Sequence, residues 1–172
     1  DAAGNSTARI VNVTVRNVND APIVNVEGTG NVFVEGDGTG VQGAAVQVFT
    51  GAMVDTVEAG QNINQIVVRM TGRLDGVNEV VTIGGNTILL GGNSVVTGNG
   101  IRVTTNVSGE TATFTIINNS GPLSARAAAN VINGITYSNT KVDDPSVGDR
   151  VFTLVSVRDT GGTANGGVNL TQ

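Results

Sequence analysis

The 172-residue chain contains no cysteine and no histidine. The first absence removes disulfides, thiolate nucleophiles and cysteine-ligated zinc; the second removes the commonest general base and the commonest metal ligand. Tryptophan is also missing, and aromatics make up 3% of the residues, so a sugar cleft with aromatic platforms has little to be built from. Tyr137 and the four phenylalanines are expected in the core. Lysine occurs once, at Lys141, and the nine cations are scattered, which argues against nucleic acid as a partner. An isopeptide crosslink needs a buried lysine beside Asn or Asp, and Lys141 lies in a polar loop, so none is expected. No apolar run approaches the roughly 20 residues of a membrane helix. The sequence opens on Asp1 without a basic start or an apolar stretch behind it, so no membrane insertion is expected and any export signal is expected outside these residues.

What is present points to strands. Glycine (25 residues), valine, threonine and asparagine dominate while proline (3) is scarce, a composition suited to many short strands joined by tight turns. The expected class is all-β, an antiparallel sandwich with one core. A chain without disulfides must be held by core packing or by hard cations bound through oxygen, and the net charge of −5 suits the second route as well as the first.

Along the chain, Ala8 to Arg16 alternates, with Val11, Val13 and Val15 on one face and Ile10 apart from them. It stops at Asn17-Val18-Asn19-Asp20-Ala21-Pro22, where Pro22 cannot donate to a ladder and marks a module junction. Residues 1–22 are thus assigned to a strand and junction that belong to, or complete, a neighbouring repeat, and 23–172 to a sandwich lacking its last strand. Short strands are expected at Ile23–Val26, Asn31–Val34 and Ala44–Phe49, and a strand packed on one side at Ile66, Val68 and Met70. From Glu79 to Ile117 the sequence steps through a meander. Its turns, Gly84-Gly85-Asn86, Gly91-Gly92-Asn93, Gly98-Asn99-Gly100 and Ser108-Gly109-Glu110, supply residues that tolerate positive φ. One helix is expected over 124–133, capped by Ser124, with Leu123, Ala127, Val131 and Ile135 on its apolar stripe and Asn133-Gly134 as its stop. A strand at Ile135–Ser138, a solvated turn at Asp143-Asp144-Pro145 and a strand at Val151–Arg158 close the readable part.

Asp1-Ala-Ala-Gly-Asn-Ser-Thr resembles Asp159-Thr-Gly-Gly-Thr-Ala-Asn, which suggests an internal period of about 158 residues cut in a shifted register. An open sheet edge and a spare strand, carried by Ile10, Val11, Val13 and Val15, then lie on the same molecule. The glycine pairs are hairpin turns rather than phosphate loops, because no helix with Lys-Ser or Lys-Thr follows. No acid, base and nucleophile converge in the pattern, so no catalytic activity is expected.

Val15 to Pro22 resembles the junction of cadherin-like and Ig-like tandem repeats in large bacterial RTX-type adhesins exported by type I secretion. Asn133 to Thr140, Asp144-Pro145, Gly148 to Val151 and Asp159 to Gly167 are similar to the recurring second half of such repeats. The resemblance implies an Ig/cadherin-like sandwich at the bacterial surface that acts as a calcium-stiffened spacer in adhesion or biofilm, with neighbouring copies of the repeat as partners. It also implies Ca2+ ligands at Asn19, Asp20, Glu35, Asp55, Glu58 and Asp159. The spacing Asp55-Thr56-Val57-Glu58 is longer than the family's usual Asp-x-Asp, and the EF-hand loop is absent. Two other functions fit the residues: the protomer of a secreted filament joined by strand exchange through residues 9–18, and a calcium-dependent glycan-binding module.

Overall fold

A computed structural model of the chain describes residues 4, 9–38 and 40–172. The N-terminal copy of the recurring Asp-Gly stretch, Gly4 apart, lies outside those residues, as does Ala8 of the first expected strand. Twelve strands and one helix follow in the order β1 (Ile23–Gly28), β2 (Val46–Gln47), β3 (Phe49–Asp55), β4 (Ile63–Thr71), β5 (Glu79–Ile83), β6 (Asn86–Leu89), β7 (Ser94–Gly98), β8 (Ile101–Ser108), β9 (Thr111–Asn118), α1 (Ala125–Asn133), β10 (Thr136–Asn139), β11 (Val151–Asp159) and β12 (Leu170–Thr171). All pairings are antiparallel. They form a six-stranded sheet, β12-β11-β4-β9-β8-β7, a four-stranded sheet, β2-β10-β5-β6, and the pair β1-β3. The fold is all-β and sandwich-like, with one helix.

The alternation of β4 supplies the central row of the core: Ile66, Val68 and Met70 are fully buried, as are Phe114 and Ile116 of β9 beside them. Val81 and Ile83 of β5 and Ile88 of β6 join the same cluster from the four-stranded sheet. The two-residue loops Gly84-Gly85 and Asn99-Gly100 both take positive φ at each central position, the type I′ geometry whose twist matches that of the flanking strands. Buried Asn86 Nδ2 then donates to the carbonyls of Ile83, Gly98 and Ile101, tying one hairpin to the next.

Helix α1 begins where expected, with Ser124 Oγ accepting from the Ala127 amide at 3.2 Å. Its buried face is Ala128, Ala129 and Ile132, so the helix is rotated from the expected stripe and leaves Ala127 and Val131 half-buried. Its end is fastened by Asn133 Oδ1, which accepts from the Ala52 amide of β3 at 2.9 Å. One expected strand is absent: Asn31–Val34 forms part of the long loop between β1 and β2. Residues 9–16, expected to serve a neighbouring repeat, join no ladder among the described residues. Strand β3 runs on through Gly51, whose φ of +64° is tolerated without a Cβ.

Candidate functional site

Two polar clusters lie at opposite ends of β11. The first is built around Asn19, a polar residue only 9% exposed. Its Nδ2 donates to the Val168 carbonyl at 2.6 Å and lies 3.3 and 3.5 Å from the two carboxylate oxygens of Asp159, itself fully buried. Its Oδ1 accepts from Gln61 Nε2 at 2.5 Å, and its main-chain carbonyl accepts from the Val168 amide at 2.8 Å. Asp159 Oδ1 also accepts from the Gly161 amide at 2.9 Å. The cradle depends on glycine: a Cβ on Gly161 would fall 1.7 Å from Asn19 Oδ1, and one on Gly167 would fall 3.0 Å from the Asn19 nitrogen. The glycine-rich stretch after Asp159 therefore acts as a socket for the junction asparagine.

Next to the socket, the Asp20 amide donates to Glu58 Oε1 at 2.8 Å. Glu58 Oε2 and Gln61 Oε1 are shielded from solvent and have no hydrogen-bond partner among the described residues. Two electron-rich oxygens without donors suit a hard cation better than they suit an apolar wall. Of the six residues expected as calcium ligands, Asn19, Asp20, Glu58 and Asp159 are thus brought together at one pole. Asn19 meets the Asp159 carboxylate through its amide nitrogen, an arrangement that neutralises neither partner but satisfies both. Glu35 is exposed in the β1–β2 loop, and Asp55 is exposed and accepts from the Val57 amide at 2.9 Å, closing its own turn. Neither shares a hydrogen bond with the cluster. Among the described residues no three acids gather in a metal-binding group. Gln61 was not singled out by sequence; its only signal is position, two residues before the buried start of β4.

The second cluster centres on Arg150, immediately before β11. Its Nη2 lies 2.7 Å from Glu79 Oε1 and 3.2 Å from Asp75 Oδ2, and its Nε donates to the same Glu79 oxygen at 2.8 Å. Lys141 Nζ adds a 3.4 Å contact to Asp75 Oδ1, so the lone lysine is paired rather than free in a polar loop. Burial works against a charged Asp75, but hydrogen bonds from the Ser146 hydroxyl, Asn139, the Ser146 amide and Lys141 outweigh it and hold the carboxyl at about 2, below its ordinary 3.8. Burial, aided by the Glu79 charge, pushes the Tyr137 phenol up to about 12. Burial also opposes the charge on Arg150, yet its bonds to Glu79 raise it above the ordinary guanidinium range. These groups brace loops against the core; each acid is held by a cation and several donors, although those of Glu79 all meet Oε1 and its Oε2 has no partner among the described residues.

Beside this network runs a groove of about 680 Å³ lined by Phe33, Tyr137, Ser146, Arg150 and Phe152, among others. Phe49, Phe114 and Tyr137 lie in the core as expected, whereas Phe33 and Phe152 are half-buried along the groove. Tyr137 meets both edge-on, at ring-centre distances of 5.8 and 6.1 Å.

No family model, curated protein or solved structure matches this chain. Asp143 and Asp144 are exposed, as a solvated turn requires. No helix of the described residues is long and apolar enough to cross a membrane.

Proposed function

We propose that the chain is a structural spacer module of a long bacterial surface protein, stiffened where it meets its neighbour and acting by mechanics rather than by catalysis. The observation that carries this reading is the clasp in which the junction residue Asn19 is held by Asp159 and Val168 from the far end of the sequence and by Gln61 ahead of β4. A linker residue seated in a socket of its own module fixes the direction in which the preceding chain leaves. Calcium is the second part of the proposal. Glu58, Asp20 and the Gln61 carbonyl offer hard oxygens at the edge of the clasp, and the acids of an adjoining repeat would complete the ligand set. When bound, the ion neutralises the acids and removes the hinge's freedom. The resemblance of the junction to adhesin repeats and the acidic balance both favour this reading over a glycan-binding role.

Thermal unfolding in millimolar calcium against excess chelator tests it. A ligand present at one hundred times its Kd, and bound only by the folded state, stabilises by about 2.7 kcal/mol. For a chain of this size that corresponds to a rise of roughly 5–11 °C. The rise should shrink in Glu58→Gln. An unchanged midpoint rejects calcium as the stabiliser of this module.

A further inference from the structure

Asparagine followed by glycine is a chemically labile pair, because the glycine amide carries no side chain to keep it from reaching the carboxamide before it. The sequence holds three such pairs, Asn99-Gly100, Asn133-Gly134 and Asn165-Gly166, and the fold treats them differently. Asn133 ends α1. Its Oδ1 accepts from the Ala52 amide at 2.9 Å while the Gly134 amide donates to the Asn130 carbonyl at 3.0 Å, so both reacting groups are engaged. Asn99 sits in a hairpin turn whose strands pair immediately on either side, Gly98 with Ile101, and the Gly100 carbonyl accepts from the Asn119 amide at 2.8 Å. Asn165 has neither kind of restraint. Residues 161–167 belong to no strand, hold four glycines and contain one 3₁₀ turn over Ala164–Gly166. Within that turn Asn165 is exposed and stands in the left-handed region at φ +57°. Its side chain has one hydrogen bond among the described residues, a 3.5 Å contact from Arg16 Nη1.

We propose that Asn165 is a site of spontaneous modification that loosens the Asn19 clasp as the protein ages. The Gly166 nitrogen gives up its proton to solvent and bonds to Asn165 Cγ; the Cγ–Nδ2 bond breaks, and Nδ2 takes a proton from solvent and leaves as ammonia. One water then opens the five-membered imide at either carbonyl. The main chain must first swing Gly166 towards Cγ, which the loop achieves by opening a single turn, a fluctuation of local rather than global cost. Opening the imide to aspartate leaves the main chain at its old length and sets a carboxylate opposite Arg16, an exposed ion pair of little worth. Opening it to isoaspartate routes the main chain through Cγ and adds one methylene between Gly161 and Gly167. These are the two glycines that wall the socket: an added Cβ would fall 1.7 Å from Asn19 Oδ1 at the first and 3.0 Å from the Asn19 nitrogen at the second. A longer link between them moves one wall away from the asparagine. With it go the Val168 carbonyl and amide, which hold the Asn19 side chain and carbonyl at 2.6 and 2.8 Å.

The test incubates the intact chain in mildly alkaline buffer with excess chelator, so that the outcome does not depend on calcium, and follows the amide-to-acid mass gain at each pair by peptide mapping. Asn165 should convert at least about tenfold faster than Asn99 or Asn133, and the three rates should converge in denaturant, where the local protection of the fold is gone. The isoaspartate fraction, separated from the aspartate fraction, should unfold at a lower midpoint than the fresh chain. Freshly prepared Asn165→Asp should unfold with the native chain, since it adds the charge without the methylene. Asn165→Gln, whose longer side chain closes a ring far more slowly, should keep its fresh midpoint through the incubation. Conversion of Asn99 or Asn133 as fast as Asn165 in the folded chain, or no conversion of Asn165, overturns the assignment of the site. An isoaspartate fraction as stable as the fresh chain, an Asn165→Asp variant as unstable as that fraction, or an Asn165→Gln variant that loses stability on incubation overturns the loosening of the clasp.

Discussion

Gly161→Ala isolates the Asn19 clasp with a single methyl group. The residue sits at an ordinary backbone conformation, so no φ strain enters; the added Cβ would lie 1.7 Å from Asn19 Oδ1 and 2.2 Å from its Cγ. The carboxamide must leave its seat. Its 2.6 Å bond to the Val168 carbonyl goes, together with the Gln61 contact and the donor that Asp159 receives within a fully buried site. A hydrogen bond to a buried carboxylate contributes about 1.5–3 kcal/mol and a neutral one about 1 kcal/mol, so the expected loss is roughly 3 kcal/mol. For 150–250 residues that lowers the unfolding midpoint by about 6–12 °C, measurable by calorimetry or circular dichroism. Gly92→Ala is the control, because its Cβ meets nothing within 4 Å at an ordinary φ, and it should stay within about 0.5 kcal/mol of the native chain. Asn19→Ala removes the same clasp from the other side, so the double variant should lose little more than either single one. A Gly161→Ala midpoint within 2 °C of native (about 1 kcal/mol or less by the same scaling), or losses that add, would refute the clasp as a stabilising unit.

Two further outcomes concern the opposite pole. Arg150→Met leaves Glu79, which is fully buried, and Asp75 without their guanidinium, and should cost about 3–5 kcal/mol in urea unfolding; a loss under about 1 kcal/mol would show the network to be ornamental. The folded-state carboxyl of Asp75 is depressed to about 2 from 3.8, so its contribution of about 2 kcal/mol is fully present above the unfolded value and is lost as pH falls through 2. Asp75→Asn should remove that part of the stability difference between pH 5 and pH 2, and an unchanged acid profile would contradict the assignment.

The meander from β5 to β9 was legible almost residue by residue because period-2 alternation coincides there with turns, three of which take positive φ; the turn at Gly91-Gly92 does not. The helix was found by its Ser124 cap, but its rotation was not, since alanines on neighbouring faces leave the stripe ambiguous. Asn31 to Val34 alternates like a strand and is none: alternation records which side chains seek burial, not whether a partner edge is within reach. At the junction, the resemblance to adhesin repeats named Asn19, Asp20, Glu58 and Asp159 as ligands of an ion; the four lie at one pole, with an amide-to-carboxylate bond between Asn19 and Asp159. Gln61 and Lys141 escaped because a glutamine at a strand entrance and a lysine in a loop have no distinguishing pattern; their partners are 42 and 66 residues away.

The Asn19 clasp also decides where a pull on the chain is felt. Residues joined by side-chain bonds across 140 positions of sequence divert tension arriving along residues 9–18 into the end of β11, the strand most extensively laddered to β4. Strand β1, held on one edge only, lies downstream of that anchor and is relieved of load. The order of failure under force follows: the socket around Asn19 must open before β1 can peel from β3, so a strand held on one edge only is shielded by a handful of polar contacts.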